Sequence, residues 1–549
     1  MTDAAPAAGS AAGPNGRRRQ VSPWVIAPVV AMAAFMEVLD LSIANVALPH
    51  IAGSLSASRD QSTWVLTSYL VTNAIILPLS GWLSTVLGRK RFYMGCIAGF
   101  GVASLLCGLA PTLELLIVFR TIQGLTGGGL QPASQAILAD AFPQQKRAMA
   151  FAVYGISVVF APAIGPTLGG WITDNFSWHW IFLINVPVSI LIWFLVEALI
   201  EDPPEAVAEM KRRHSAGIRI DYIGFGLLAL GLGFLQILLD KGQEEDWFAS
   251  SFIVASAVIA VVGTVAFVVW ELRRDDPIVD LSLLRNRNFA VANGMMFMLG
   301  FVLLGSTALL PQMVQGLYGY TAMQAGLVLS PGGFMIMAAM PLVGRLVGAV
   351  DARKLIVFGL VTSGAGLVLM SGFTPETDFW TIAHARMLQA FGLGFLFIPI
   401  SSLAYVGVPP GKNNAAAALI NLSRNLGGSV GIALLSTWLA RGAQGYRVDL
   451  VSQVSPFDAA YLQRLAEIEQ GLIANGASAS QAHAMALRVI AGTGRQQPEI
   501  VQERQQVAGT VRQQADLLAF LHDFGLLAIV FFALIPVVLM LKVARPPGR

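Results

Sequence analysis

Fourteen long apolar stretches, most of them parted by short polar segments, set the pattern of this chain. They cover residues 24–48, 63–83, 92–110, 114–138, 147–170, 179–198, 220–239, 252–270, 289–312, 323–346, 354–373, 381–406, 413–440 and 518–542. At a rise of about 1.5 Å per residue, each is long enough for a helix to cross a hydrocarbon core of roughly 30 Å. The expected fold class is therefore an all-α integral membrane bundle of fourteen transmembrane helices.

The basic residues orient that bundle. Twenty-two Lys and Arg fall in the segments of one side, among them Arg17 to Arg19, Arg89 to Arg91 and Lys211 to Arg213, against only Arg59 and Lys241 in the short loops of the other. This is a strong positive-inside signal, and an even number of spans puts both termini in the cytoplasm. Composition agrees: 55% of residues are hydrophobic, 12% are charged, and there are 55 glycines. The net charge of +3 is accounted for by membrane orientation and gives no reason to expect nucleic acid. Residues 1–22, rich in Ala, Gly and Pro, are expected to be a disordered cytoplasmic tail. Cys96 and Cys107 lie eleven residues apart on one predicted helix, about 16 Å along its axis, which is too far for a disulfide.

An internal duplication is visible. Pro78-Leu79-x-Gly81 recurs as Pro341-Leu342-x-Gly344, Arg120-x-x-Gln123 as Arg386-x-x-Gln389, and Gly165-x-x-x-Gly169 as Gly427-x-x-x-Gly431, in the same order at offsets of 263, 266 and 262. The matches divide the chain into a six-helix half at 23–200, two inserted helices at 201–285 and a second six-helix half at 286–549. The second half contains a polar loop at 441–517, expected to be a largely helical periplasmic insert. Halves of even helix number share one orientation, as in transporters with a central cavity between two rocking units.

A charge deep in a bilayer costs at least about 2.5–3.5 kcal/mol, so it normally faces the bundle interior and marks a pathway or relay. Glu37 and Asp40 are the only deep carboxylates identified at this stage; at i and i+3 they share a face of the first span. They are the candidate proton-coupling groups, with Arg120 on the fourth span as their natural partner. The substrate cavity is assigned to Asn45, Gln123, Asn421, Arg424, Phe297 and Phe301. A static buried ion pair and ordinary helix packing are the plainer explanations of these residues.

These motifs resemble those of the major facilitator superfamily, and within it the EmrB/QacA-like fourteen-span drug:proton antiporters. Leu39-Asp40-Leu41-Ser42-Ile43-Ala44-Asn45 is similar to the first-span motif, whose Asp the resemblance implicates in proton coupling, and Arg120-Thr-Ile-Gln123-Gly124 to the fourth-span motif, whose Arg it implicates likewise. Pro162, Gly165, Pro166, Gly169 and Gly170 resemble the antiporter motif of the fifth span. Gly81, Gly88, Arg89 and Lys90 resemble the cytoplasmic loop signature, with Thr85 where the family often has Asp. The resemblance implies the major facilitator fold and proton-coupled export of hydrophobic or amphipathic toxic compounds. It also implies a bacterial inner-membrane location, with a periplasmic membrane-fusion adaptor of the EmrA type and a TolC-like outer-membrane channel as partners.

No nucleotide-binding P-loop, metal-ligand motif or nucleophile elbow is present in the sequence, so no cofactor or metal is expected and an ion gradient is the expected energy source. A dedicated exporter of one metabolite, such as a fatty acid or siderophore, is the alternative. A membrane-embedded enzyme or non-transporting scaffold would need a polar cluster, for example around His179 or His384, which lie near predicted span ends.

Overall fold

The computed structural model describes residues 22–202, 204–215, 221–274, 277–347, 349–409, 411–453, 459–491 and 498–541, and no strand occurs among them. The predicted N-terminal tail lies, but for Ser22, outside the described residues.

The first six predicted spans become α1 (Pro23–Ser54), α2 (Arg59–Leu87), α3 (Arg89–Gly108), α4 (Leu113–Gly127), α5 (Leu130–Ala141), α6 (Gln144–Asn175), α7 (Trp180–Leu183) and α8 (Asn185–Leu199). A short amphipathic helix, α9 (Pro204–Ser215), leads to the paired helices α10 (Tyr222–Lys241) and α11 (Ser251–Glu271). The rest comprises α12 (Arg287–Leu317), α13 (Ala322–Leu346), α14 (Ala352–Met370), α15 (Phe379–Ala404), α16 (Asn413–Gln453), α17 (Ala459–Ala474), α18 (Ala479–Ala491), α19 (Pro498–Ala533) and α20 (Ile535–Val538).

Among the described residues, twelve helices are long and apolar enough to cross a membrane. The two other predicted spans differ for physical reasons. The fourth is divided at Gly128–Gly129 into α4 and α5, neither of which is long enough alone. There a side chain would strike the Asn73 carbonyl at position 128, or Phe92 and Cys96 at position 129, so glycine is what lets this span lie against α2 and α3. The thirteenth lies within α16, 41 residues long, which carries Asn421, Arg424 and Asn425 within its apolar stretch. The spans also overrun their predicted ends: α16 continues to Gln453 and α19 begins at Pro498, so much of loop 441–517 is helix continuous with the spans. Between them α17 and α18 pack on each other through Leu465, Ile468, Leu472, Ala482 and Ala486. Residues 454–458 and 492–497 of that loop lie outside the described residues.

The duplication extends to helix starts. Ser58 and Gln61 form a capping box at the head of α2, and Thr321 and Gln324 form the same box at the head of α13, 263 residues on. In space α6 packs on α1 and α13, while α16 packs on α12 and α2. The α10–α11 pair joins closely where Gly231 meets Gly263; α10 lies against α2, and against α16 through Gln236–Ser429 (3.1 Å), while Trp247 in the connection to α11 bonds Thr437 of α16 at 2.9 Å.

One correction concerns buried acids. Asp523 of α19 is fully buried, so Glu37 and Asp40 are not the only deep carboxylates. It lies near the start of the predicted last span, but α19 begins well before it and packs on α14 and α16.

Candidate functional site

Asp40 faces inward because α1, apolar along most of its length, is enclosed by α2, α5, α6 and α8. It is 2% exposed and Arg120 is 0% exposed. The Arg120 Nη1 donates to Asp40 Oδ2 at 2.6 Å and to Gln123 Oε1 at 2.8 Å, and its Nε donates to the Val65 carbonyl at 3.1 Å. Asp40 Oδ1 accepts from Gln123 Nε2 at 3.1 Å and from Asn185 Nδ2 at 2.7 Å. The guanidinium lies 4.4 Å from the Tyr69 ring centroid and 5.4 Å from that of Phe182. This is a buried, hydrogen-bonded ion pair sealed by aromatic rings, with Ser104 bonding both Gln123 and Asn185 from α3.

Sequence reasoning assigned Gln123 to the substrate cavity; the structure instead makes it a ligand of Asp40. Tyr69, Ser104 and Asn185 went unrecognised because each is an ordinary residue of an apolar span. Only the fold brings three other helices to one carboxylate.

Glu37 sits beside this cluster without joining it. It accepts from Asn73 Nδ2 at 3.0 Å and from the Tyr69 hydroxyl at 3.3 Å, so Tyr69 lies between the two acids. Across the bundle, Arg424 Nη2 donates to Gln131 Oε1, and Asn421 Nδ2 donates to Gln135 Oε1 at 2.8 Å. These bonds tie α16 to α5. Of the remaining predicted cavity residues, Asn45 is exposed, Phe301 is buried, and the Phe297 and Phe301 carbonyls abut Gly427 and Gly431.

The fifth-span motif lies in unbroken α6, where Pro166 cannot donate to the Pro162 carbonyl. The Ser42 hydroxyl donates to that carbonyl at 3.4 Å. A side chain at Gly165 would strike Ser42, and one at Gly169 would come within 3.1 Å of Ile43. These glycines admit α1, whereas Gly170 faces Met323 of α13.

At the face where α2 passes to α3, Gly88 takes φ +86° and Arg89 pairs with Asp140 at the end of α5. Asp140 also accepts from Asn413 at the head of α16, at 2.5 Å. Lys90 pairs with Glu197 at 3.3 Å. Thr85 donates to the Gly81 carbonyl of its own helix at 2.9 Å, and the acid at this face is Asp140. Gly81 itself meets Ala415 at 3.2 Å. His179 bonds Ser177 and stacks on Trp178, and His384 lies near Trp380, as expected of aromatic side chains at span ends.

Twenty helices among the described residues, in this order and with a buried acid–arginine pair between the first and fourth spans, are the architecture of a secondary transporter of the major facilitator kind. The model of the Major Facilitator Superfamily matches residues 30–432, and the chain belongs to that family. Within it the chain is of the EmrB type. It is 39% identical over 430 residues to the multidrug export protein EmrB of Escherichia coli (strain K12), covering 78% of this chain and 82% of that protein. It is 38% identical to the fatty acid resistance protein FarB of Neisseria gonorrhoeae, over 81% of this chain and 86% of FarB. Among solved structures, the human organic anion transporter MFSD10 (TETRAN) superposes with a TM-score of 0.53 at 17% identity, covering 76% of this chain and 93% of that one, a likeness of fold.

Proposed function

We propose that this protein is a proton-coupled efflux transporter that exports hydrophobic or amphipathic toxic compounds by alternating access. The observation that carries the reading is the buried Asp40–Arg120 pair with its Gln123 and Asn185 bonds. A carboxylate held this way loses its arginine and amide partners if a neighbouring helix withdraws. The same group can therefore load a proton in one conformation and release it in the other. Asp40 is the carrier and Arg120 tunes it. Glu37, sharing Tyr69 with the cluster, assists the relay or meets cationic substrate.

The halves at 23–200 and 286–549 rock about the α6–α13 and α2–α16 contacts, with 201–285 as an outer support. The Asp140–Asn413, Gln135–Asn421 and Gln131–Arg424 bonds close one end, which the basic residues identify as cytoplasmic. Those bonds part when that end opens to take up substrate. Moving one charge through 100 mV supplies roughly 2.3 kcal/mol toward the cycle. The resemblance to EmrB supports an inner-membrane location with both termini cytoplasmic, an EmrA-type adaptor and a TolC-like channel, with loop 441–517 as a docking surface for the adaptor.

Proton-driven dye transport in proteoliposomes tests the reading. The parent transports and Asp40→Asn binds dye without driven transport; full transport by Asp40→Asn overturns the assignment of Asp40. The FarB relative favours a second reading, export confined to fatty acids, for which the same vesicles would move a fatty acid but no dye.

A further inference from the structure

The internal repeat places a second copy of the ion-pair geometry in the other half, with one change. Arg386 and Gln389 of α15 stand 266 residues after Arg120 and Gln123, and Ser306 of α12 stands 266 after Asp40. Three of the bonds correspond. Arg386 Nη1 donates to Ser306 Oγ at 3.2 Å and to Gln389 Oε1 at 2.5 Å, and Gln389 Nε2 donates to Ser306 Oγ at 2.9 Å. Where the first half has a carboxylate, the second has a hydroxyl. The other acid of α1 is missing as well, since Leu303 stands 266 after Glu37.

Arg386 is accordingly a buried cation, 3% exposed, with no ion pair among the described residues. Asp523, the buried acid of α19, makes no bond to it. Its Nε has no partner, and its Nη2 donates only to the Thr307 hydroxyl, at 2.9 Å. Nε and Nη2 form the side-on edge with which a guanidinium grips a carboxylate through two parallel bonds. Thr307 is only partly buried, so that edge lies one side chain from accessible space. An uncompensated cation inside a membrane bundle is costly, and it is kept where it meets a charge that comes and goes.

We propose that Ser306, Thr307, Arg386 and Gln389 form an anion site, in which the carboxylate of an amphipathic substrate gives Arg386 the negative partner that Asp40 gives Arg120 in the first half. The incoming carboxylate displaces the Thr307 hydroxyl from Nη2 and pairs with the Nε–Nη2 edge, while its apolar tail remains among the span side chains. This rests on the efflux reading for its substrate class, but the site itself is testable by binding alone.

The experiment measures binding of a fluorescently tailed long-chain fatty acid and of its methyl ester to the full-length protein in lipid nanodiscs. The parent binds the acid roughly tenfold or more tightly than the ester, the size expected for a charge-assisted pair. Arg386→Gln removes that preference and leaves ester binding unchanged. Ser306→Asp, which supplies the missing carboxylate from the chain, removes it also. Equal binding of acid and ester by the parent overturns the site, as does an acid preference that survives Ser306→Asp, a result that counts even if Arg386→Gln does not fold. Displacement of the acid by chloride at physiological strength, without effect on the ester, would make the occupant an inorganic anion and overturn the substrate assignment. A parent that prefers the acid but drives no dye in proteoliposomes separates failure of the efflux reading from failure of the site.

Discussion

The hydroxyl of Ser42 on α1 bonds the carbonyl of Pro162 on α6, the carbonyl that Pro166 leaves without its helical donor. One proline thus creates both a defect in its own helix and an acceptor for the neighbour, and Gly165 supplies the room for the approach.

That relationship makes a specific mutant pair informative. Gly165→Ala drives a methyl into Ser42 and should lower stability by about 1–3 kcal/mol. Ser42→Gly removes the Cβ and Oγ that the methyl meets, so the double variant should recover most of the thermal stability. Melting of the two single variants and the double in detergent checks this, and additive losses would show that the helices do not meet there.

Breaking the buried pair on one side leaves an uncompensated charge. Arg120→Ala should destabilise by about 3–5 kcal/mol, whereas Asp40→Asn with Arg120→Gln should fold better than Arg120→Ala alone while failing to couple protons. Thermal melts paired with proteoliposome flux distinguish the two effects.

The bonds between α5 and α16 hold one end shut. Removing the Asn421 amide with Asn421→Ala forfeits its bond to Gln135, a net loss of about 1 kcal/mol. The ratio of closed to open protein should then shift roughly fivefold toward opening at the basic face. Spin-label distances across that face, with labels near Thr85 and Lys412, would report it. An unchanged distance distribution would mean that the bond does not bias the transition.

Outside the spans, Asp280 pairs with Lys412 at the head of α16. Burial would raise its pKa, but the Lys412 ammonium and the Ser282 hydroxyl and backbone hold it below the usual carboxylate value. The stabilising effect of this depressed acid is therefore present above its unfolded-state pKa and is lost as pH falls through its folded-state pKa. Because Lys412 is 43% exposed, the effect is at most about 1 kcal/mol. Melts should show Asp280→Asn slightly less stable than the parent at neutral pH, with the gap closing below pH 4.

Much of this protein was determined by sequence alone. Apolar length set the helical class, three short repeats exposed the duplication, and the distribution of Lys and Arg gave an expected direction across the membrane. Asp40 and Arg120 stood out because a charge in an apolar span is costly wherever it ends up facing. Asn185 and Ser104 did not, since neutral polar residues are tolerated in spans and acquire meaning only from their partners. Tertiary structure alone decided that Gln123 bonds Asp40, that Arg89 pairs with Asp140, and that Ser306 bonds Arg386 where a second Asp40 would stand. Helical periodicity tells which residues share a face, but which helix that face meets depends on packing among segments far apart in the chain.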